Sequence, residues 1–458
     1  MKKITLILSA FALTTIMMGS CKTPVGGETP DEPKDSIPVE LQALKQSVPV
    51  TNNWVFDTKP AITIHIENPN AVAVEANVIA KITTDLKKAV ATIEQVVEVP
   101  ANGTLDVPVT TPEDLAPGIY RANCIVNNKG ARTFNFAISP EKIVSEPDKQ
   151  PDFDEYWAAA KEQLAALDMD AQLTEITSKS TAKRKIYLVE LKSVPDSPEG
   201  EPVTVRGYYA EPQDGQKHPV IMHFYGYDSQ NATSWPPCPG GNENDYAEFF
   251  FSIRGQMLNN RAAANRIPDG KGDFVNIYGD WFAYNFGVKD GYYYRGAFMD
   301  CVQAVRFMAT RETSDMTQLF AEGSSQGGAL SYATAALSDY PFTAIAPCVA
   351  FLGDFPDYFN IVGWPAETAK ANKGNMTDEE MYAFLSYFDT KNLATRISCA
   401  VMACSGLQDG TCPPHTNLAP YNNLLTEDKE MYYYPEMGHE IPGNWNSKIM
   451  NFFKERMK

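Results

Sequence analysis

The feature that most constrains this chain is a serine between glycines that follows an apolar run and precedes a small-residue segment. Gly323-Ser324-Ser325-Gln326-Gly327 comes directly after the strand-like run Leu319-Phe-Ala-Glu322 and before a predicted helix over 328–337. A G-x-S-x-G sequence between a strand and a helix predicts a nucleophile elbow, a turn so tight that only small neighbours fit beside the serine. The helix that follows supplies backbone N–H donors for a developing oxyanion. Ser325 is therefore the candidate nucleophile.

A serine hydroxyl is a weak nucleophile and needs a neighbouring base. The chain has five histidines, at positions 65, 218, 223, 415 and 439. In α/β-hydrolases the base follows both the serine and the acid along the chain, which leaves His415 and His439. His439 lies between a predicted strand and the last helix, in a loop that can reach the serine. His415 follows Pro413-Pro414 in a predicted turn, where a surface or supporting role is expected, so His439 is the predicted base.

The acid of such a triad must lie between the serine and the base, after a strand. Asp409 follows the apolar strand-like run 399–404, and a buried carboxylate there would hold the imidazole in the required tautomer. Asp389, Glu427 and Asp428 are alternatives, but their surroundings are typical of solvated turn or helix charges. Asp409 is the predicted acid.

Two backbone N–H groups are expected to hold the oxyanion. One is that of Gln326, directly after the nucleophile, and the other is that of Tyr227, in the loop Phe224-Tyr-Gly-Tyr-Asp228 after an early strand. Tyr225 and Tyr227 are expected to restrict the acyl pocket to acetyl-sized groups, although plain core packing of these side chains is an alternative.

The periodicity of apolar residues divides the rest of the chain into two folded parts. Residues 48–140 contain at least six short strands separated by turns, which predicts a small β-sandwich of immunoglobulin type. Residues 141–458 alternate between buried strands and amphipathic helices, which predicts an α/β fold with a doubly wound sheet.

The first residues read as targeting sequence rather than as part of the fold. Lys2 and Lys3 precede an apolar run, and Met18-Gly-Ser-Cys21 follows it. This pattern is similar to a bacterial lipoprotein signal over residues 1–20, with Cys21 lipidated, and ordinary cleavage beside a free cysteine is the alternative. Residues 21–47 would form a flexible tether. We expect a lipid-anchored protein of the bacterial cell envelope, facing the periplasm or the cell surface, with the anchor as its only membrane contact.

Charge and cysteine spacing exclude several classes of function. With 39 Lys and Arg residues against 57 Asp and Glu residues, the net charge of −18 argues against a nucleic-acid partner. Cys399, Cys404 and Cys412 with His415 do not have the spacing of a structural zinc site, so buried thiols are expected. Neither a metal nor an organic cofactor is expected.

Several segments of the second part resemble carbohydrate esterase family seven, the acetyl xylan esterase and cephalosporin C deacetylase family of α/β-hydrolases. The matching segments occur in order along the chain: Phe153-Asp-Glu-Tyr-Trp157, Gly226-Tyr227, Arg254-Gly-Gln256, Tyr292-Tyr-Tyr-Arg-Gly296, Ser325-Gln-Gly-Gly328, Gly406-Leu-Gln-Asp409, Cys412-Pro-Pro414 and Gly438-His-Glu440. The resemblance implies the same nucleophile, acid, base and oxyanion donors, and it implies ring-shaped oligomers. Ser324, Met257 and the stretch 229–245 depart from the family pattern near the expected mouth of the site.

The resemblance implies a serine-dependent acetyl esterase that acts on acetylated carbohydrates such as xylan or xylo-oligosaccharides. Small acetylated molecules such as antibiotics are further candidate substrates. A serine peptidase of the same fold, or a surface glycan-binding lipoprotein with a non-catalytic hydrolase domain, is the alternative.

Overall fold

The computed structural model describes residues 41–227, 237–238, 241–256 and 277–457. The predicted signal segment, Cys21 and the tether up to residue 40 lie outside these residues, as do Met257 and most of the stretch 229–245. Residues 43–458 group into one compact unit. Among the residues that the structure describes, no helix combines the length and apolarity needed to cross a bilayer.

The N-terminal part of the unit is an all-β sandwich. Buried and partly exposed residues alternate along Ile62–Glu67, as expected of a strand with one face in a core. Three strands pair in the order β1-β3-β6 and five pair in the order β2-β8-β7-β4-β5, with a shared apolar core that includes Trp54 and Phe134. The strands are β1 Lys45–Ser47, β2 Val55–Phe56, β3 Ile62–Glu67, β4 Val74–Thr84, β5 Ala89–Val99, β6 Thr104–Val109, β7 Gly118–Val126 and β8 Lys129–Ile138.

The second part is built on a nine-stranded sheet in the order β17-β16-β15-β14-β12-β13-β11-β10-β9. The six strands from β17 to β13 run parallel to one another, and β11, β10 and β9 continue the sheet in antiparallel pairs. Its strands are β9 Gln172–Glu175, β10 Arg184–Ser193, β11 Val203–Pro212, β12 His218–Phe224, β13 Ala247–Ser252, β14 Ser314–Ser324, β15 Ala344–Cys348, β16 Ala400–Gly406 and β17 Lys429–Tyr434.

Helices cover both faces of this sheet. On β12, Val220 and Met222 belong to the same core as helices α1 to α3, whereas Ile221 packs in the core of α9, because successive strand residues point to opposite faces. The helices are α1 Phe153–Ala166, α2 Tyr293–Ala309, α3 Gln326–Leu337, α4 Phe355–Ile361, α5 Ala366–Asn372, α6 Asp378–Leu385, α7 Thr390–Ala394, α8 Pro414–Asn422 and α9 Trp445–Lys454.

The predicted fold class is confirmed: an α/β-hydrolase sheet follows a small all-β region. The parallel strands end at one edge of the sheet, and the loops that leave this edge carry the predicted site residues. Such an edge is where open α/β sheets bind their ligands.

Candidate active site

Ser325 occupies a sharp turn between β14 and α3. Its backbone has φ 57° and ψ −120°, a conformation that L-residues rarely adopt. The Ser325 N–H donates to the Cys348 carbonyl at 2.9 Å, which ties the turn to the end of β15. A Cβ atom on Gly327 would overlap the Phe224 carbonyl oxygen, so only glycine lets α3 approach β12 this closely. The local sequence therefore forms the expected elbow.

The structure brings the three predicted triad residues together. The His439 Nε2 atom lies 3.0 Å from the Ser325 Oγ atom, and the His439 Nδ1 atom lies 2.8 Å from an Asp409 carboxylate oxygen. Asp409 lies in the loop after β16 and His439 in the loop after β17, whereas Ser325 follows β14. Three loops from the same edge of the sheet thus meet at one point.

Asp409 has a side chain with no exposed surface, yet its carboxylate is fully engaged. One oxygen accepts the backbone N–H groups of Thr411 and Cys412, both at 2.8 Å, and the other faces His439. A carboxylate held in this way accepts a hydrogen from Nδ1, which leaves Nε2 free to accept the serine proton. The arrangement can therefore activate the Ser325 hydroxyl without a metal ligand.

The loop that carries Tyr227 is held beside the elbow by the Arg254-Gly-Gln256 segment. The Gln256 side chain donates to the Gly226 carbonyl at 3.0 Å and accepts the Ile253 N–H at 3.0 Å. Gln326 begins α3, where a helix leaves its first N–H groups without an intrahelical acceptor. The two predicted oxyanion donors thus belong to segments that meet at the Gly327 contact.

The Arg254 side chain fixes the position of the Arg254-Gly-Gln256 segment, a role that the sequence did not predict. Its guanidinium donates to both Asp300 carboxylate oxygens, at 2.9 and 2.7 Å, and to Asp196 at 2.6 Å. Such a bidentate pair fixes both distance and orientation. The Arg-Gly-Gln pattern was part of the family resemblance, but the role of Arg254 depends on Asp300, which lies in α2, 46 positions along the chain.

Aromatic rings form a wall beside the elbow. The Tyr227 ring packs at 4.9 Å from Trp281, 5.1 Å from Trp364 and 6.2 Å from Phe351. Phe351 is close to the elbow because its N–H donates to the Ser325 carbonyl at 3.1 Å. Burial, with Asp280 nearby, raises the pKa of the Tyr227 phenol, so its hydroxyl stays protonated at neutral pH.

Tyr225 does not belong to this wall. Its ring packs 4.4 Å from Phe250 in a separate apolar cluster with Tyr208. The Tyr225 ring therefore lies in core packing, the alternative considered above, and its expected contribution to the acyl pocket is not seen beside the elbow.

The alternative base and acid lie elsewhere in the fold. His415 lies in α8 and is only 8% exposed, so the predicted turn and the surface position are wrong, whereas the supporting role stays a prediction. Its ring faces Asp85, Asp354 and Asp357 at 3.1 to 3.2 Å. Asp389 is also buried rather than solvated, because its carboxylate accepts the N–H groups of three residues: Asp354, Phe355 and Lys391.

Two further features bear on metal binding and on cysteine chemistry. Within the described residues, one cluster, Asp354 with Asp357 and His415, has the spacing to hold a metal ion, and none of its members belongs to the predicted triad. Cys412 neighbours Ser325, but burial raises the pKa of its thiol well above the usual value, which keeps the sulfur neutral. The seven described cysteines are free thiols, and five of them are buried.

A protein-family profile and a relative each match most of this chain. The acetyl xylan esterase (AXE1) family profile matches residues 141–456. Acetyl esterase Axe7A from Xylanibacter ruminicola is 25% identical over 349 residues, which is 75% of this chain and 75% of that protein.

The similar solved structures include two acetyl xylan esterases. Acetyl xylan esterase 1 from Thermoanaerobacterium sp. JW/SL YS485 is 25% identical and has a TM-score of 0.59, with 70% of this chain and 98% of that chain covered. An acetyl xylan esterase from Paenibacillus sp. R4 is 26% identical and has a TM-score of 0.58, with coverage of 69% and 98%.

Proposed function

Because the chain belongs to the acetyl xylan esterase family and is therefore a carboxylic-ester hydrolase, we propose that it removes O-acetyl groups from xylan and xylo-oligosaccharides. The observation that carries this proposal is the continuous contact from Ser325 through His439 to the buried Asp409 carboxylate. The names of the similar esterases support the substrate class.

The reaction begins when His439 Nε2 accepts the proton of the Ser325 hydroxyl as its oxygen attacks the acetyl carbonyl. Asp409 holds the imidazole tautomer and stabilises the imidazolium that forms. The N–H groups of Gln326 and Tyr227 receive the oxyanion, and each contributes about 3 kcal/mol to lowering the barrier.

Collapse of the tetrahedral intermediate then breaks the bond to the sugar oxygen, which takes the proton from His439 and leaves as the alcohol. Water attacks the acetyl-enzyme with His439 again as base, and acetate is released while Ser325 regains its proton. The residues that perform these steps are all supplied by the chain.

The aromatic wall of Tyr227, Phe351 and Trp364 supports a preference for small acyl groups, because bulky rings beside the nucleophile leave little room for a long acyl chain. We expect acetyl esters to be hydrolysed at least about tenfold faster than octanoyl esters of the same alcohol, since even one misplaced methylene in a fixed pocket costs about 1–3 kcal/mol. Equal rates would contradict a restricted acyl site.

The test of the proposed function is the release of acetate from acetylated xylo-oligosaccharides by the full chain. The wild-type protein should release acetate, and Ser325→Ala should reduce kcat by a factor of about 10⁴ or more. The wild-type protein should leave aminoacyl amides intact. A cephalosporin that carries an acetoxymethyl group is a further candidate substrate for the same assay. Hydrolysis of the amides but not of the acetylated sugars would contradict the proposed function and indicate a peptidase.

We also propose that Cys21 anchors the protein to the cell envelope through lipid. The support is the sequence alone: Lys2 and Lys3, the apolar run and the small residues before Cys21. The wild-type protein should fractionate with membranes and release fatty acids on hydrolysis. Cys21→Ser should abolish both properties, and a Cys21→Ser protein that keeps its acyl chains would refute the anchor.

A further inference from the structure

The loops that carry Asp409 and His439 are bonded to each other through their backbones. The Leu407 N–H donates to the Tyr434 carbonyl at 3.0 Å, and the Gln408 N–H donates to the Met437 carbonyl at 2.9 Å. A Cβ atom on Gly406 would overlap the Gly438 carbonyl oxygen, so the two loops are in close backbone contact. Displacement of one loop therefore displaces the other.

The residue two positions before Asp409 is buried in the core of the N-terminal sandwich. Leu407 has no exposed surface, and every other buried member of its apolar cluster lies between Val48 and Ile138. Tyr433, at the end of β17, packs against the same cluster. The sandwich thus contacts both strand ends from which the acid and base loops begin.

Gln408, directly before Asp409, connects the sandwich with both loops. Its carboxamide accepts the Asn135 N–H at 2.8 Å and donates to the Asn135 carbonyl at 3.0 Å, as a paired strand residue would. It also donates to the Pro435 carbonyl at 2.7 Å. In return, the Asn135 side chain donates to the Leu407 carbonyl at 2.9 Å. Strand β8 is therefore joined by hydrogen bonds to the acid loop and, through Gln408, to the base loop.

We propose that the N-terminal sandwich is a positioning element of the active site, with Gln408 as the positioning residue that fixes Asp409 relative to His439. The proposal rests on the proposed function, since it assigns these two residues their catalytic roles. Its physical basis is that a displacement of about 1 Å in a catalytic group costs about 10²-fold in rate. Three hydrogen bonds on the residue next to the acid limit such a displacement.

The experiment compares two substitutions of Gln408 with a matched control in the full chain. Gln408→Met keeps the length of the side chain but removes its hydrogen bonds, whereas Gln408→Ala also removes its volume. Thr133→Ala is the control, because Thr133 lies on β8 and, among the described residues, its hydroxyl bonds to Asn123 within the sandwich, at 3.1 Å, and not to either catalytic loop. Folding is monitored by circular dichroism and the thermal midpoint.

Both Gln408 variants should lose at least fivefold in kcat for an acetyl ester while KM changes less than twofold. Thr133→Ala should keep kcat within twofold of the wild-type value. The rate at which a fluorophosphonate labels Ser325 should fall in parallel with kcat, because labelling needs the same base but not the natural acyl group. A purely structural role would lower the folded fraction and the thermal midpoint without changing the labelling rate of the folded protein.

Folded Gln408 variants with kcat within twofold of wild type would overturn the proposal, and so would an equal loss in Thr133→Ala. If Gln408→Met does not fold, Asn135→Ala decides in the same way, since it removes the side-chain bond to the Leu407 carbonyl. A wild-type protein that is labelled at Ser325 but does not cleave acetyl esters refutes the substrate class alone. A wild-type protein that is not labelled refutes both proposals.

Discussion

At Ser325 the backbone has φ 57° and ψ −120°, which no ordinary strand or helix uses. Such a conformation costs about 1–3 kcal/mol and persists only where surrounding contacts fix it. The contacts here are the bond from the Ser325 N–H to Cys348 and the approach of Gly327 to Phe224. The position of the Ser325 hydroxyl therefore depends on neighbours that take no part in the chemistry.

Gly327→Ala should destabilise the fold by about 2–3 kcal/mol and reduce activity strongly, because the added methyl group would meet the Phe224 carbonyl oxygen. Chemical denaturation and acetate release measure the two effects. Gly443→Ala is the matched control, since a Cβ atom there has no neighbour within 4 Å, and its stability should stay within about 0.5 kcal/mol of wild type. A stable, fully active Gly327→Ala protein would contradict this prediction and show that α3 can move away from β12.

Asp409→Asn should lower kcat by a factor of about 10⁴ with little change in KM. The amide keeps the size of the carboxylate, but it cannot hold the imidazole tautomer that accepts the serine proton. Steady-state kinetics with an acetyl ester measure the loss. Asp428→Asn is a suitable control, because Asp428 is exposed and pairs with Arg456 away from the site. Comparable kinetics for Asp409→Asn and wild type would remove Asp409 from the triad.

At the scale of elements, the sequence predicted those parts whose pattern is local. The strands β12, β14, β15 and β16 each contain a short apolar run, and the elbow has its own motif, so the order of serine, acid and base could be inferred. Helix α8 was missed because it contains Pro420, and a proline inside a helix usually breaks it.

The misassigned side chains depend on contacts between distant parts of the chain. His415 is buried because Asp85 and Asp354 approach it from other elements, and Asp389 is buried because it caps α7 and binds the start of α4. Nothing in the sequence next to either residue encodes these partners.

The contacts between His415 of α8 and its neighbouring aspartates predict that the stability of the fold depends on pH. Burial alone would lower the pKa of His415, but hydrogen bonds to Asp354, Asp357 and Asp85 raise it to about 11. A cationic group whose pKa rises on folding stabilises the folded state fully at a pH below its unfolded pKa, which is about 6.5 for histidine. This stabilisation is lost as the pH rises through the folded-state pKa of about 11.

His415→Gln should therefore reduce the free energy of unfolding by about 3 kcal/mol near pH 6, because it removes the cation beside Asp85 and Asp357 and leaves Asp354 with Lys391 alone. The difference from wild type should shrink between pH 6 and pH 10 in urea unfolding. His65→Gln is the control, since His65 pairs with Asp106 in an exposed position and should change stability by less than about 1 kcal/mol. A difference that grows with pH would contradict a protonated His415.

At the scale of the whole molecule, the sandwich and the hydrolase part share their cores. Leu407 is buried among sandwich residues, and Leu418 of α8 packs with Ile119 and Ala137. Residues 43–458 accordingly form one compact unit. The boundary near residue 140 separates two sheets but not two independent bodies.

We expect the protein to unfold in a single thermal transition, because exposing either part would also expose apolar surface of the other. Calorimetry should give one peak whose calorimetric and van't Hoff enthalpies agree. Loss of acetyl ester hydrolysis should have the same midpoint. Two resolved peaks, with hydrolysis surviving the first, would show that the sandwich melts alone.

The burial of Leu407 also bears on how this enzyme can be produced and compared with its relatives. The portion shared with the family spans residues 141–456, and an expression plasmid trimmed to that portion would leave Leu407 facing water and Gln408 without Asn135. A poor yield or a sluggish preparation from such a plasmid would reflect the cut itself rather than the catalytic quality of the natural enzyme.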